Sequence, residues 1–157
     1  MERFDANDMQ IMGLLQEEGR ISNAEIARKV GLAPSAVLER IRKLEERGAI
    51  ESYHARLNAK QLGWGLTAFT LVRANWLDSS AQAEALTALP QVQEVHEVAG
   101  EDCFLIKLRV RDTDALARLL RDQIGSIPGV TSTRTTIVLS TFKESAAIPA
   151  PSREETQ

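Results

Sequence analysis

The sequence of 157 residues has one cysteine, two histidines and a net charge of only −3. A lone Cys103 excludes an internal disulfide framework, which suits a cytoplasmic protein. His54 and His96 have no Cys, His or carboxylate cluster at ligand spacing, so no metal site is expected, and no cofactor either. No nucleophile–base pair and no phosphate-cradling loop is present, so an enzyme is not expected. No apolar run reaches 18 residues, which excludes a membrane-spanning helix. The N-terminus lacks a basic start followed by an apolar core, so no secretory signal is expected. The small net charge argues against a uniformly basic coat for nucleic acid.

What charge there is, however, is unevenly placed. Residues 1–63 hold 10 basic and 10 acidic side chains, and residues 64–157 hold 9 and 12. Six basic residues (Arg28, Lys29, Arg40, Arg42, Lys43, Arg47) fall within 28–47 against three acidic ones (Glu39, Glu45, Glu46). A small basic surface on a neutral domain needs more than one copy to hold DNA tightly, because affinity scales with the phosphates neutralised.

The same stretch carries the clearest local signals. Ser22 and Glu25 read as a capping box opening a short helix with Ala24, Ile26, Ala27 and Val30 inward. Gly31 ends it in a left-handed turn, and Pro34 starts a second helix at its first position. Val37, Ile41 and Leu44 recur at i, i+4, i+7 and make that helix's buried stripe. Its outer face carries Ser35, Ala36, Glu39, Arg40, Arg42, Lys43 and Arg47, and Gly48 is the stop. This is the pattern of a helix-turn-helix, whose second helix enters the major groove of DNA. Small leading residues let the backbone approach the bases, and Arg and Lys supply phosphate and guanine contacts. An ordinary helical hairpin with a solvated charged face is the plainer reading of the same residues. On the first reading the candidate DNA contacts are Ser22, Asn23, Ser35, Ala36, Glu39, Arg40, Arg42 and Lys43.

Upstream, Asp5 caps a helix with Asp8 in its first turn and Ile11, Met12 and Leu15 inward; Gly19 ends it. Downstream, Tyr53, Ala55 and Leu57 alternate with His54 and Arg56 and predict a wing strand. Residues 58–65, with glycines on both sides of Trp64, read as a linker. From there the pattern predicts a strand over 66–75, a helix over 78–89 capped by Asp78, and a strand through Val92, Val95 and Val98 with a phase shift that marks a bulge. A Gly100-Glu101-Asp102 turn, a strand over 103–110, a helix over 112–124 and a strand over 130–142 complete it. The junctions Leu89-Pro90-Gln91-Val92 and Ile127-Pro128-Gly129-Val130 echo each other. Strand, helix, strand, strand, helix, strand is a ferredoxin-like sandwich. Two helices cover one face of its sheet. The other face, assigned Leu105, Thr133, Thr135, Ile137 and Leu139, is most simply covered by a second copy of the same sheet, since most homo-oligomers are two-fold dimers; a half-polar face turned to water is the plainer alternative that antiparallel sheets allow. Residues 144–157 lack periodicity and read as a mobile tail.

The fold class is thus α+β: an N-terminal winged helix-turn-helix over 1–57, a linker over 58–65 and a ferredoxin-like βαββαβ effector domain over 66–143.

With these pieces in order, the chain resembles the Lrp/AsnC (feast/famine) family of transcription regulators across nearly all of residues 4–143. Asp5-x-x-Asp8-x-x-Ile11 and Gly19-Arg20-Ile21-Ser22 resemble the family's opening. Gly31-Leu32-Ala33-Pro34-Ser35 and Leu38-Glu39-Arg40-Ile41-Arg42-Lys43-Leu44-Glu45 resemble its turn and reading helix. Gly100, Phe104-Leu105 and Thr133-Arg134-Thr135 resemble its effector domain. The resemblance implies a sequence-specific regulator of transcription that binds double-stranded DNA and responds to a small effector, an amino acid. It implies a homodimer through the sheets, assembling to an octamer, and an effector held between neighbouring dimers. On it the candidate effector-binding residues are Gly100, Glu101, Asp102, Cys103, Phe104, Thr133, Thr135 and Thr136. Two departures stand out. Ala33 occupies a cap position where the family often has Ser. Cys103 stands where the family motif usually has Asp, with Glu101 and Asp102 just before it. Cys103 reads as a small residue at a strand start rather than a redox sensor, because no sequence neighbour is a His or Lys that would lower its pKa.

Two other functions compete. An architectural DNA-binding protein would share the fold and lack the effector response. Haem-pathway decarboxylases resemble the same two-domain fold. Their multiply carboxylated tetrapyrrole would want several His and Arg around a cavity, whereas this chain has two His and concentrates its basic residues on the proposed reading helix.

Overall fold

The structure, a computed structural model, describes residues 4–75 and 79–149. The expected cap at Asp78 and the end of the expected tail fall outside the described residues. The chain divides into two compact units, residues up to Arg56 together with those from Glu144 on, and Leu57–Lys143.

The first unit is three helices: α1 (Ala6–Glu17), α2 (Asn23–Val30) and α3 (Pro34–Glu46). Its core is Ile11, Ile26, Ala27, Val37, Ile41 and Leu44, with Met12, Leu15, Val30 and Ile50 packed against it. Each fully buried aliphatic side chain here stabilises the unit by about 1.5–3 kcal/mol. The helix ends follow from local chemistry. Asp5 and Asp8 form a reciprocal capping box on α1, Asp8 N–H donating to Asp5 Oδ1 at 2.8 Å and Asp5 N–H to Asp8 Oδ2 at 3.2 Å. Ser22 Oγ accepts from Glu25 N–H at 3.1 Å. The reciprocal half of that box is not made, because the Glu25 carboxylate pairs with Arg28 at 2.5 Å. Gly31 ends α2 at φ 74°, a conformation that costs other residues about 1 kcal/mol or more. Ala33 caps α3 with no side-chain bond.

Residues 51–57 carry no strand pairing, contrary to the expected wing strand. Their polar and apolar positions do alternate, but all seven are exposed and no strand among the described residues pairs with them. Tyr53 instead donates its hydroxyl to Glu45 at 3.0 Å. In the same unit Arg56 Nη1 donates to the Glu144 carbonyl at 2.7 Å, and the Gln16 side-chain amide both donates to and accepts from the backbone of Ile148.

Over residues 58–65, the expected linker, the chain closes a turn: Trp64 N–H donates to the Ala59 carbonyl at 2.8 Å, and Gly63 sits at φ 79°. Then follow β1 (Leu66–Ala74), α4 (Ser79–Thr87), β2 (Val92–Glu97), β3 (Phe104–Val110), α5 (Thr113–Arg118) and β4 (Val130–Ile137). The strands form one antiparallel sheet in the order β2-β3-β1-β4, which with the two crossing helices is the ferredoxin-like arrangement. The expected bulge lies in β2, where the register slips between Val92 and Glu94. Helix α5 is shorter than expected. From Leu119 to Ile124 the chain runs as a π-helical turn, closed by Gly125 N–H donating to the Leu120 carbonyl at 2.8 Å. That wider turn buries Leu119 and Ile124, five residues apart, together. Strand β4 ends at Ile137 rather than 142, because Val138 N–H already bonds Thr67 and β1 has almost run out of partners.

The register decides which side chains share a face, since residues directly opposite point the same way. Val95, Ile106, Thr70 and Thr135 form one row, and Glu97, Phe104, Val72 and Thr133 another. These rows face the helices, with Phe104, Ile106, Leu108 and Val72 buried against Leu86, Leu116, Leu119 and Ile124. The helix-free face carries the alternate rows: His96, Leu105, Leu71 and Arg134, then Glu94, Lys107, Phe69 and Thr136. Thr133, Thr135 and Ile137 therefore lie on the helix side, not with Leu105 as expected. Leu139 follows the end of the strand and is exposed.

Candidate functional site

Two arrangements carry function, one in each unit.

The first is the outer surface of α3. Gly31 turns the chain sharply out of α2, and Val37, Ile41 and Leu44 clamp α3 onto the core. Ser35, Glu39, Arg42 and Lys43 are left exposed, as expected. The charged ones are engaged with each other. Arg42 donates from Nε and Nη2 to the two Glu39 oxygens at 3.1 and 2.8 Å, and from Nη1 to Glu46. Lys43 Nζ lies 3.6 Å from Glu39. The Arg42 guanidinium holds the Glu39 carboxyl below its ordinary value. Exposed pairs of this kind contribute about 0–1 kcal/mol each, so phosphates can displace them. Ser22 and Asn23 open α2; the Ser22 oxygen is the cap acceptor.

Two expected contacts sit differently. Ala36 is half-buried. Arg40 turns away from the outer face and towards α1, where its Nη1 lies 2.7 Å from Asp5 Oδ2 and 2.6 Å from Asp8 Oδ1. One residue that the sequence reasoning left out is exposed on the same surface: Leu38, at 58%. Its signal was available, since position 38 falls outside the i, i+4, i+7 stripe of Val37, Ile41 and Leu44.

The second arrangement surrounds the turn between β2 and β3. Gly100 takes φ 139°, which suits glycine alone. Arg73, at the end of β1, donates to Glu101 at 2.8 Å and lies 3.6 Å from Asp102. Arg134, on β4, donates to Asp102 at 3.1 Å. Two guanidiniums and two carboxylates thus balance one another at one end of the helix-free face. Charges of both signs, close together and partly solvated, are what a zwitterion needs. Arg73 was not among the expected site residues and Arg134 only flanked them. Alternation does place Arg73 on the face of Phe69 and Leu71, but its partners depend on strand register.

The remaining expected residues are separated from this cluster. Cys103 is 2% exposed, and its thiol donates to the Ala74 carbonyl at 3.0 Å. Phe104 is 1% exposed in the helix-side core. Thr135 hydrogen-bonds Thr70 at 2.8 Å on the helix side, with Thr133 in the neighbouring row. Thr136 lies on the helix-free face opposite Phe69. Among the described residues no group of three or more His, Cys, Asp and Glu could hold a metal ion.

Comparison with known proteins joins the two arrangements. Residues 4–51 match the winged helix-turn-helix DNA-binding domain, and residues 67–148 match the Lrp/AsnC ligand binding domain. The chain belongs to the Lrp/AsnC family. It is 39% identical over 146 residues to the HTH-type transcriptional regulator FL11 of Pyrococcus horikoshii, covering 93% of this chain and 96% of that one. It is 39% identical over 145 residues to the leucine-responsive regulatory protein of Escherichia coli, covering 90% and 88%. Among solved structures, a transcriptional regulator of Neisseria meningitidis in complex with L-Met superposes with a TM-score of 0.89 at 29% identity, covering 94% of this chain and 97% of that one. AsnC of Escherichia coli superposes with a TM-score of 0.86 at 27% identity, covering 96% and 100%. The protein is a DNA-binding transcriptional regulator of the Lrp/AsnC type, with a ligand-binding domain. Among the described residues its winged helix-turn-helix has no paired wing strand, and its Lrp/AsnC domain is the ferredoxin-like sheet with its helices.

Proposed function

We propose that this Lrp/AsnC regulator reads specific DNA through α3 and answers to an amino acid bound at the turn between β2 and β3. The DNA contacts are Ser22, Asn23, Ser35, Glu39, Arg42 and Lys43, with Ala36 allowing close approach and Arg40 holding α3 from behind. The observation that carries the effector is the balanced cluster of Arg73, Arg134, Glu101 and Asp102. An α-carboxylate can replace Glu101 on Arg73, and an α-ammonium can take the freed carboxylate, so the zwitterion exchanges ion pairs without stranding a charge. The L-Met complex of the Neisseria relative and the name of the leucine-responsive relative support an amino acid in this role. Gly100 gives the turn its shape, and Thr136 lies further along β4 on the same face.

The protein works as a homodimer through the helix-free face, assembling to an octamer, in the cytoplasm. It is a regulator and not an enzyme, in keeping with the regulators it resembles.

The test is binding of the purified chain to the DNA upstream of its own gene, across a salt series and with each of the twenty amino acids. Tighter binding than to random DNA, shifted by one amino acid, is expected. Preference without any shift would favour the architectural reading, and no preference at low salt would remove sequence-specific regulation.

A further inference from the structure

We propose that Leu38 determines part of the DNA specificity by packing on the C5 methyl of a thymine. The inference rests on the reading of α3 as the DNA-reading helix and names what that helix recognises.

Lone exposed leucines are ordinary on protein surfaces and need no explanation by themselves. Leu38 differs in its surroundings. It lies in the leading half of α3, one turn after Ser35 and one before Arg42, about a quarter-turn round the helix from the buried stripe of Val37, Ile41 and Leu44. Among the described residues of the three helices it is the one large apolar side chain more than a third exposed. Leading residues of a recognition helix are those that meet base edges.

The charges around it sharpen the argument. All three nitrogen positions of Arg42 are taken by Glu39 and Glu46, and Glu39 also faces Lys43. Arg40 is committed to Asp5 and Asp8. A bidentate contact from Arg42 to guanine would first have to give up its carboxylate partners. Leu38 and Ser35 have no ion pair to break. In the major groove only thymine among the four bases presents a methyl group, so an exposed leucine there discriminates it from cytosine and purines. The leucine leaves water only when DNA binds, so its burial adds to the complex and not to the free protein.

The experiment starts with duplexes selected from a randomised pool by the full-length chain. Each thymine of the selected sequence is then replaced singly by deoxyuridine, which removes the methyl and keeps the base pair. Loss of one buried methyl weakens binding about four-fold at one thymine of the site. Leu38→Ala lowers affinity for the thymine duplex by a similar or larger factor and abolishes the difference between thymine and deoxyuridine there. Leu38→Met, which keeps an apolar tip, retains the difference. Selected duplexes that tolerate deoxyuridine everywhere would overturn the inference while leaving DNA reading by α3 intact. So would a deoxyuridine penalty of equal size in Leu38→Ala. A pool with no enrichment would overturn DNA reading itself, and the inference with it.

Discussion

Arg40 Nη1 on α3 lies 2.6 Å from Asp8 Oδ1 at the start of α1. The same nitrogen is 2.7 Å from Asp5 Oδ2, while the two other carboxylate oxygens accept the capping-box N–H groups. All four oxygens thus have a partner, and the first turn of α1 is tied to the middle of the reading helix. Asp8 is largely buried, so removing its cation leaves a poorly solvated charge. Arg40→Ala is therefore expected to destabilise the N-terminal unit by about 1–3 kcal/mol in denaturant unfolding. It leaves the salt dependence of DNA binding nearly unchanged. Arg42→Ala does the reverse, leaving stability within about 0.5 kcal/mol and lowering the logarithmic salt slope by about one per bound copy. A reduced salt slope in Arg40→Ala would make Arg40 a phosphate contact instead.

The same network sets an acid limit. The Asp8 backbone N–H, first, and then the Arg40 guanidinium hold the Asp5 carboxyl below its ordinary value of 3.8. A lowered folded-state pKa means stability that is fully present above the unfolded value and lost as pH falls through the folded one. Thermal stability of the helical unit should thus be flat from neutrality to about pH 5 and decline below about pH 4. Asp5→Asn keeps a capping side chain and removes the charge. It should lower stability at pH 7 and flatten the acid decline, as read by circular dichroism; an unchanged acid limb would show that other carboxylates set it.

What could be read in advance was local. The Ser22 cap, the Gly31 turn and the Pro34 start lie within a few residues of the helices they define, and the bulge near Val92 showed as a slipped phase. What could not be read depended on pairing at a distance. Alternation within each strand alone groups Thr133, Thr135 and Ile137 with Leu105. Their face was decided by the pairing of Thr70 with Thr135, 65 residues apart. Helix spacing alone puts Arg40 on the outer surface, because its partners, Asp5 and Asp8, are more than 30 residues away. The π-helical turn was hidden for another reason: Leu116, Leu119, Leu120 and Ile124 suit an α-helix equally well.

Cys103 provides a test of that long-range packing. Its thiol donates to the Ala74 carbonyl in a site almost closed to water. Reaction with a thiol reagent should be slow and should follow the opening of the sheet, rising sharply in denaturant. Cys103→Asp, which restores the residue usual in the Lrp/AsnC motif, would bring a carboxylate against a carbonyl acceptor. A cost of about 2 kcal/mol or more is expected in unfolding experiments, with the aspartate pKa raised by burial. A native thiol that reacts as fast as free cysteine would place Cys103 at the surface and return it to the effector site.

The helix-free face of the sheet carries the last prediction. Phe69, Leu71 and Leu105 lie together there, with Phe69 39% exposed at the centre of the sheet between Lys107 and Thr136. An antiparallel sheet can present such a face to water, but a central phenylalanine exposes apolar area that a second sheet would cover. A two-fold pairing makes each substitution count twice, once per copy. Phe69→Asp changes a side chain outside the helix-side core, so the fold of one copy should survive. The charge would be buried twice in the paired form, which should shift sedimentation from dimer to monomer at micromolar protein. DNA binding should weaken with it, because a single small basic surface neutralises few phosphates. A Phe69→Asp variant that still sediments as a dimer would assign the pairing to another surface and leave the exposed phenylalanine without a role in assembly.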